Sequence, residues 1–176
     1  MVSVMTRLDD DPSLAAELTR ARALAAAVAD PEIPVLTIDD LGVLRGVERE
    51  EDGTVVVTIT PTYSGCPAMD AIRADVLTAL KDGGFGTARV DLVLSPSWTT
   101  DWMSADGRRK LAEYGIAPPA TAAEHRQGPV ALTLGMRCPQ CGSLDTEQLS
   151  RFGSTACKSL WRCRACAEPF DHFKSL

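Results

Sequence analysis

From Pro12 onward apolar positions recur at helical spacing: Leu14, Leu18, Ala21, Leu24/Ala25 and Val28 form one stripe facing a core. Asp11-Pro12 opens this helix, because proline suits a first helical position, and Asp30-Pro31 stops it. A loop, Asp30–Pro34, follows, with Leu36, Ile38 and Leu41 as apolar anchors. Leu44–Glu50 and Thr54–Thr60 then read as two strands joined by an Asp52-Gly53 hairpin turn. Val55, Val57 and Ile59 alternate with Val56 and Thr58, so at least one face is buried. A second helix opens at Cys66-Pro67, carries Met69, Ile72, Val76, Leu77 and Leu80 as its stripe, and ends at Gly83-Gly84. Thr87–Leu94 is a third strand, with Val90, Leu92 and Leu94 on one face. Trp98 and Trp102 lie in a loop, as large aromatics capping a core edge, and a third helix runs near Asp106–Tyr114. The order αββαβα over residues 11–117 predicts a small α+β layer with helices packed on one sheet.

Outside that pattern, residues 1–10 read as disordered and residues 118–135, rich in Pro, Ala and Thr, as a linker. Residues 136–176 form a separate four-cysteine module. No apolar run approaches the roughly 20 residues of a bilayer span, and Met1–Asp11 lacks a secretory pattern. The expectation is a cytoplasmic protein. There, reducing conditions turn clustered cysteines toward metal or redox chemistry rather than disulfides.

The module reads Cys138-Pro139-Gln140-Cys141-Gly142, then 20 residues, then Cys163-Arg164-Ala165-Cys166. Two residues between cysteines let one tight turn aim both sulfurs at one point, and two such turns complete a tetrahedron with Zn–S near ~2.3 Å. A saturated four-thiolate site leaves no open position, so it is structural, and zinc is the expected metal; iron in a rubredoxin-like site is the rival that spacing does not separate. Gly142 supplies the backbone freedom the turn needs. The metal contributes much of the module's folding free energy, on the order of 10 kcal/mol, and Phe152, Leu160, Trp161, Phe170 and Phe173 are expected to pack around it. Cys157 is a small buried hydrophobe, a spare ligand or a reactive thiol; burial is the favoured reading. His172 is not expected to replace a cysteine ligand.

Charge is uneven. Residues 1–135 hold 12 Lys/Arg against 20 Asp/Glu, a net of −8, whereas residues 136–176 hold 6 against 4, a net of +2. That balance lacks the basic footprint of a nucleic-acid binder. The acidic runs Asp9–Asp11, Asp39-Asp40 and Glu48–Asp52 read as solvated surface. No phosphate-binding, dinucleotide, serine-hydrolase or zinc-protease motif is present, and the two histidines, His125 and His172, lie outside the main domain. Cys66 sits where a helix starts, and the N–H groups and dipole there favour thiolate over thiol. It is either a nucleophile or metal ligand, or a cysteine that simply packs.

Asp30-Pro31-Glu32-Ile33-Pro34, Leu41-Gly42-Val43, and Thr60-Pro61-Thr62 with Gly65-Cys66-Pro67 resemble the metal–sulfur cluster assembly domain family. Ser97–Trp102, Gly107-Arg108, Gly115–Pro119 and the tail from Cys138 through Phe152–Lys158 to Glu168-Pro169-Phe170 resemble its phenylacetate (PaaD-type) branch. The resemblance implies an α+β fold and a non-catalytic accessory of the ring-1,2-phenylacetyl-CoA epoxidase system, with its reductase and oxygenase subunits as partners. It implies maturation of the reductase's iron–sulfur cluster, with Cys66 as transient ligand of a cluster or of iron. Thr62 and Asp30 would shape the pocket, and the zinc module would dock the client through Arg162 and Arg164. One thiol cannot hold a cluster alone, so a second copy (a homodimer), a client or a small thiol would supply the rest. The alternatives are a structural subunit of the oxygenase complex and a zinc-ribbon nucleic-acid binder, the latter opposed by the acidic main domain.

Overall fold

The computed structural model describes residues 12–63, 65–119 and 136–175. The expected disordered N-terminus and nearly all of the expected linker lie outside the described residues. The six expected elements form in the expected order: α1 (Pro12–Ala26), β1 (Leu44–Arg49), β2 (Val55–Ile59), α2 (Ala68–Asp82), β3 (Ala88–Leu92) and α3 (Ala105–Glu113). β1 and β2 pair antiparallel across the Asp52-Gly53 turn, and β2 pairs parallel with β3, so β2 is central. Parallel pairing requires a crossover, which α2 provides. β2 is accordingly the most buried strand, with Val55, Val57 and Ile59 at 1% exposure or less.

The strand after α2 ends earlier than its apolar pattern suggests. Val90 is buried, but Leu92 and Leu94 are 40% and 57% exposed. Trp98 does the capping instead: it is buried, and its Nε1 donates to the Leu41 carbonyl oxygen at 2.9 Å. Trp102 sits in a 3₁₀ turn, Thr100–Trp102, under the Arg45 guanidinium 3.5 Å from its ring centroid. Gly42 makes that approach possible. Its φ is +69°, and a Cβ there would collide with the Trp102 backbone oxygen.

Asp40 corrects the reading of its acidic run as surface. It is buried, where its Oδ2 accepts from Lys110 Nζ at 2.7 Å and from the Thr37 N–H at 3.0 Å. Those partners hold its carboxyl below the ordinary carboxylate range, although burial, the largest single influence, pushes the other way.

Downstream of α3 the chain does not leave the domain cleanly. A two-residue strand, β4 (Ile116–Ala117), joins a second sheet of order β4-β7-β6-β5, built otherwise from β5 (Thr146–Ser150), β6 (Lys158–Cys163) and β7 (Pro169–Phe173). β4 runs parallel to β7, with Ile116 opposite Asp171 and Ala117 opposite His172. The expectation that Phe152 and Phe173 pack around the metal fails at both ends. Phe152 is 66% exposed, with Lys174 Nζ 4.5 Å from its ring centroid. Phe173 is 1% exposed and belongs to the core of the first domain, its ring 6.1 Å from that of Trp98. Cys157 is buried in that same core. Around the cysteine site remain Ala117, Phe170, Met136 and Trp161.

Phe173→Ala removes a ring buried across both halves and is expected to cost about 3–5 kcal/mol. In denaturant unfolding of the metal-loaded chain, that loss should appear in a single transition shared by both halves. Separate transitions with an unshifted first domain would contradict the shared core.

Candidate metal centre and thiol site

The two Cys-x-x-Cys turns sit at one end of the second sheet, where Thr146 at the start of β5 pairs with Cys163 at the end of β6. In the first, the Gly142 N–H donates to the Cys138 carbonyl and the Cys138 N–H to the Ser143 carbonyl, both at 2.9 Å, with Gly142 at φ +74°. The second turn repeats the device without glycine: Ala167 stands at φ +65°, and the Cys163 N–H donates to the Glu168 carbonyl at 2.9 Å. A left-handed alanine costs about 1–2 kcal/mol, a cost a metal-closed turn can absorb. The four sulfurs lie within 4.8 Å of one another, with Cys138 Sγ–Cys166 Sγ at 3.8 Å and Cys141 Sγ–Cys163 Sγ at 3.6 Å. A tetrahedron with Zn–S of ~2.3 Å has S···S edges of about 3.8 Å, so the donor set fits zinc. Backbone N–H groups, that of Cys166 foremost, pull the Cys163 thiol down to about 7, whereas against such backbone groups burial and neighbouring sulfurs push Cys141 up and Cys166 up to about 12, as expected of thiols crowded together without a cation between them. Among the described residues this is the one cluster with metal-ligand geometry. His172 is not part of it: it lies edge-on to Trp161 with Nδ1 3.3 Å from Ser159 Oγ, and burial lowers its pKa to about 4.

Arg162 and Arg164 are both exposed, and both are held by one carboxylate. Arg162 Nε lies 3.0 Å from Glu147 Oε1, and Arg164 Nη2 lies 2.8 Å from Glu147 Oε2. Part of the charge expected to face a client is therefore already balanced.

The second site forms at the start of α2. Cys66 is half-buried just before Pro67, the N-cap residue, and the Ala68 N–H points at its sulfur as the helix-terminus argument requires. The thiolate expectation is nonetheless overturned. Burial is the larger effect, and the Glu32 and Asp30 carboxylates add to it, so the Cys66 thiol is pushed above its ordinary value. Asp30 is buried where its Oδ1 accepts from the N–H groups of Glu32 at 2.8 Å and Ile33 at 2.7 Å, which shapes the loop that brings Glu32 inward. Burial raises the Asp30 carboxyl, against those two hydrogen bonds and Lys158. Tyr63 packs beside Cys66 and is pushed up to about 12 by burial and by the neighbouring Cys66 and Glu32. Thr62 stands to one side. It lines an adjacent cleft of about 310 Å³ with Thr60, Pro61, Tyr63, Leu94, Ser97 and Trp98.

Sequence reasoning misses three members of this site. Glu32 and Tyr63 lie within or beside the family-like segments but carry no signal of their own. Cys157 is buried, as the favoured reading has it, but nothing in the sequence says that its Sγ lies 3.8 Å from Glu32 Oε2.

A mixed α/β domain followed by a zinc ribbon is the arrangement that comparison with known proteins also finds. A family model described as iron-sulfur cluster assembly protein matches residues 20–93, and one described as PaaD zinc beta ribbon domain matches residues 120–174. An Escherichia coli protein named as the D component of 1,2-phenylacetyl-CoA epoxidase is 49% identical over 88% of this chain and 90% of its own length. An Fe-S protein maturation auxiliary factor of Porphyromonas gingivalis is 40% identical over 48% of this chain and 80% of its own. A crystal structure of a domain of unknown function, DUF59, from Bacillus anthracis superposes with a TM-score of 0.52 at 31% identity, covering 56% of this chain and 94% of that one. The chain belongs to the PaaD family, in which a cluster-assembly domain carries a C-terminal zinc ribbon.

Because burial and carboxylates hold Cys66 as a thiol, its alkylation by iodoacetamide should be slow at neutral pH and rise through a midpoint above the ordinary thiol value. Glu32→Gln should move that midpoint down. A plateau already reached at neutral pH would show that the helix terminus wins after all.

Proposed function

We propose that this chain is a non-catalytic accessory protein of the phenylacetyl-CoA epoxidase system that assists iron–sulfur cluster assembly on the reductase. The observation that carries the reading is Cys66: a half-buried thiol at a helix start, ringed by Tyr63, Glu32 and Asp30, in a chain similar over both its halves to a protein named as an epoxidase component. Relatives named Fe-S protein maturation auxiliary factors cover the domain that holds it. No nucleotide, hydride or acid–base histidine machinery accompanies Cys66 among its described neighbours, which supports a binding role over a catalytic one.

Iron or a cluster is the cargo here, not a resident cofactor. A neutral thiol binds iron only after losing its proton, and an approaching cation lowers the thiol pKa strongly. The Cys66 Sγ–H bond breaks as the Sγ–iron bond forms and the proton passes to water, while the negative charge of the Glu32 carboxylate, which acts on Cys66, favours the approaching cation. Asp30 holds the loop that positions Glu32, and Thr62 borders the cleft on the Tyr63 side. The zinc ribbon would dock the client protein, with Arg162 and Arg164 on its exposed face. The reduced cysteines suit a cytoplasmic setting.

Co-expression of the reductase with wild-type chain or with Cys66→Ser separates maturation from a purely structural role in the oxygenase complex. Reductase made beside Cys66→Ser should carry markedly less cluster by absorbance, with its protein yield unchanged. Full cluster content beside the variant would leave the structural reading standing.

A further inference from the structure

The zinc ribbon holds an apolar side chain out into solvent. β5 is an edge strand of the second sheet, and its pairing with β6 is irregular between Gln148 and Ser150. Such a bulge re-aims a side chain, and Leu149, the residue at the irregularity, is 49% exposed. Just beyond it stands Phe152, at 66% the most exposed large apolar side chain among the described residues. Its N–H donates to Ser150 Oγ at 3.1 Å. Lys174 Nζ lies 4.5 Å from its ring centroid and donates to the Arg151 carbonyl at 3.1 Å. A ring held in this way loses little freedom on burial. Arg151 is exposed, and neither it nor Lys174 has an ion pair among the described residues. The nearest carboxylates of the ribbon are engaged elsewhere, Glu147 with Arg162 and Arg164, and Asp171 with Lys158 and Ser154. The result is an apolar knob with two unpaired cations.

The first domain carries the complement. A cleft of about 500 Å³ lies between the start of α1 and the end of β1. Leu14, Leu18 and Val47, each half-buried, form its floor, and residues 48–51 form its rim. On that rim Arg49 is paired with Glu17, and Glu50 with Arg89. Glu48 and Glu51 are left exposed and without an ion pair among the described residues. We propose that the Leu149–Phe152 knob of one copy of this chain docks in this groove on a second copy, with the Phe152 ring on Leu14, Leu18 and Val47 and with Arg151 and Lys174 facing Glu48 and Glu51. Apolar surface meets apolar surface there, and two unpaired cations meet two unpaired carboxylates. Within one chain both surfaces stay open, so neither satisfies the other. The chain's net charge of −6 opposes indiscriminate association, which confines contact to the place where a basic knob meets an acidic rim. Each copy has one knob and one groove, so reciprocal docking closes a two-fold dimer in which the contact is made twice. The inference goes beyond the reading of Cys66 as a ligand and does not depend on it.

The test is the mass of the reduced, zinc-loaded full chain by sedimentation equilibrium over a range of concentrations. Wild type should pass from monomer to dimer and no further. Phe152→Ala, which removes an exposed ring and leaves the core intact, should weaken the dimer at least about tenfold, as loss of a central aromatic anchor does. The groove variant Glu48→Lys/Glu51→Lys, changed only at exposed positions, should weaken it comparably. Mixing the two variants gives the decisive reading. One keeps its groove and the other its knob, so the mixture should form a heterodimer through one intact contact, tighter than either variant with itself. A Phe152→Ala dimer as tight as wild type, or a mixture no tighter than its components, would overturn the proposal. A wild type that is monomeric throughout would overturn it too, and if its binding to purified reductase then fell with Phe152→Ala, the knob would belong to a client instead.

Discussion

Phe173 and Cys157 reach from the zinc ribbon into the core of the cluster-assembly domain, and the arrangement of both sites follows from that burial. Full burial of a ring such as Phe173 contributes about 1.5–3 kcal/mol. A ribbon folded by metal alone has few large apolar side chains to anchor its position, so this contact, with Trp98 on the other side, orients it. β4 adds two backbone-paired residues to the same junction. The four-sulfur site thereby stabilises more than its own turns. It fixes β6 and β7, and these carry Cys157 and Phe173 at their ends next to Glu32 and Trp98.

At Cys66 two opposing influences meet, and their relative size sets the chemistry. The helix N-terminus and the Ala68 N–H favour thiolate, while burial and two carboxylates favour thiol, and the second set is larger. The result is a thiol held protonated more firmly than an ordinary cysteine. In the ribbon a backbone N–H group is the largest influence on Cys141, Cys163 and Cys166 alike, but of these three only Cys163 has its neighbouring sulfurs acting in the same direction, and only its thiol is lowered.

Local signals in the sequence are sufficient for the elements and for the ribbon ligands. Helical spacing places α1 and α2, the Asp52-Gly53 turn places the β1–β2 hairpin, and Cys-x-x-Cys spacing needs no tertiary information. Cys66 stands out because proline and a helix start flank it. What the sequence hides depends on contacts distant along the chain. Cys157 meets Glu32 125 positions away, and Lys110 reaches Asp40 70 positions away. Nothing near Asp40 marks it as buried, and nothing near Phe173 says that it packs on Trp98 rather than on the metal. The thiol state of Cys66 is hidden for the same reason, since the carboxylates that oppose the helix field lie on a different loop.

The central claim is that the zinc ribbon and the Cys66 site form one unit. Its most direct test is the alkylation rate of Cys66 and Cys157, followed by peptide mass spectrometry in zinc-loaded and zinc-stripped protein. Both residues should become more reactive together when zinc is removed, because loss of β6 and β7 withdraws Cys157 and Phe173 and opens the pocket. Unchanged rates at both residues after zinc removal would contradict the account.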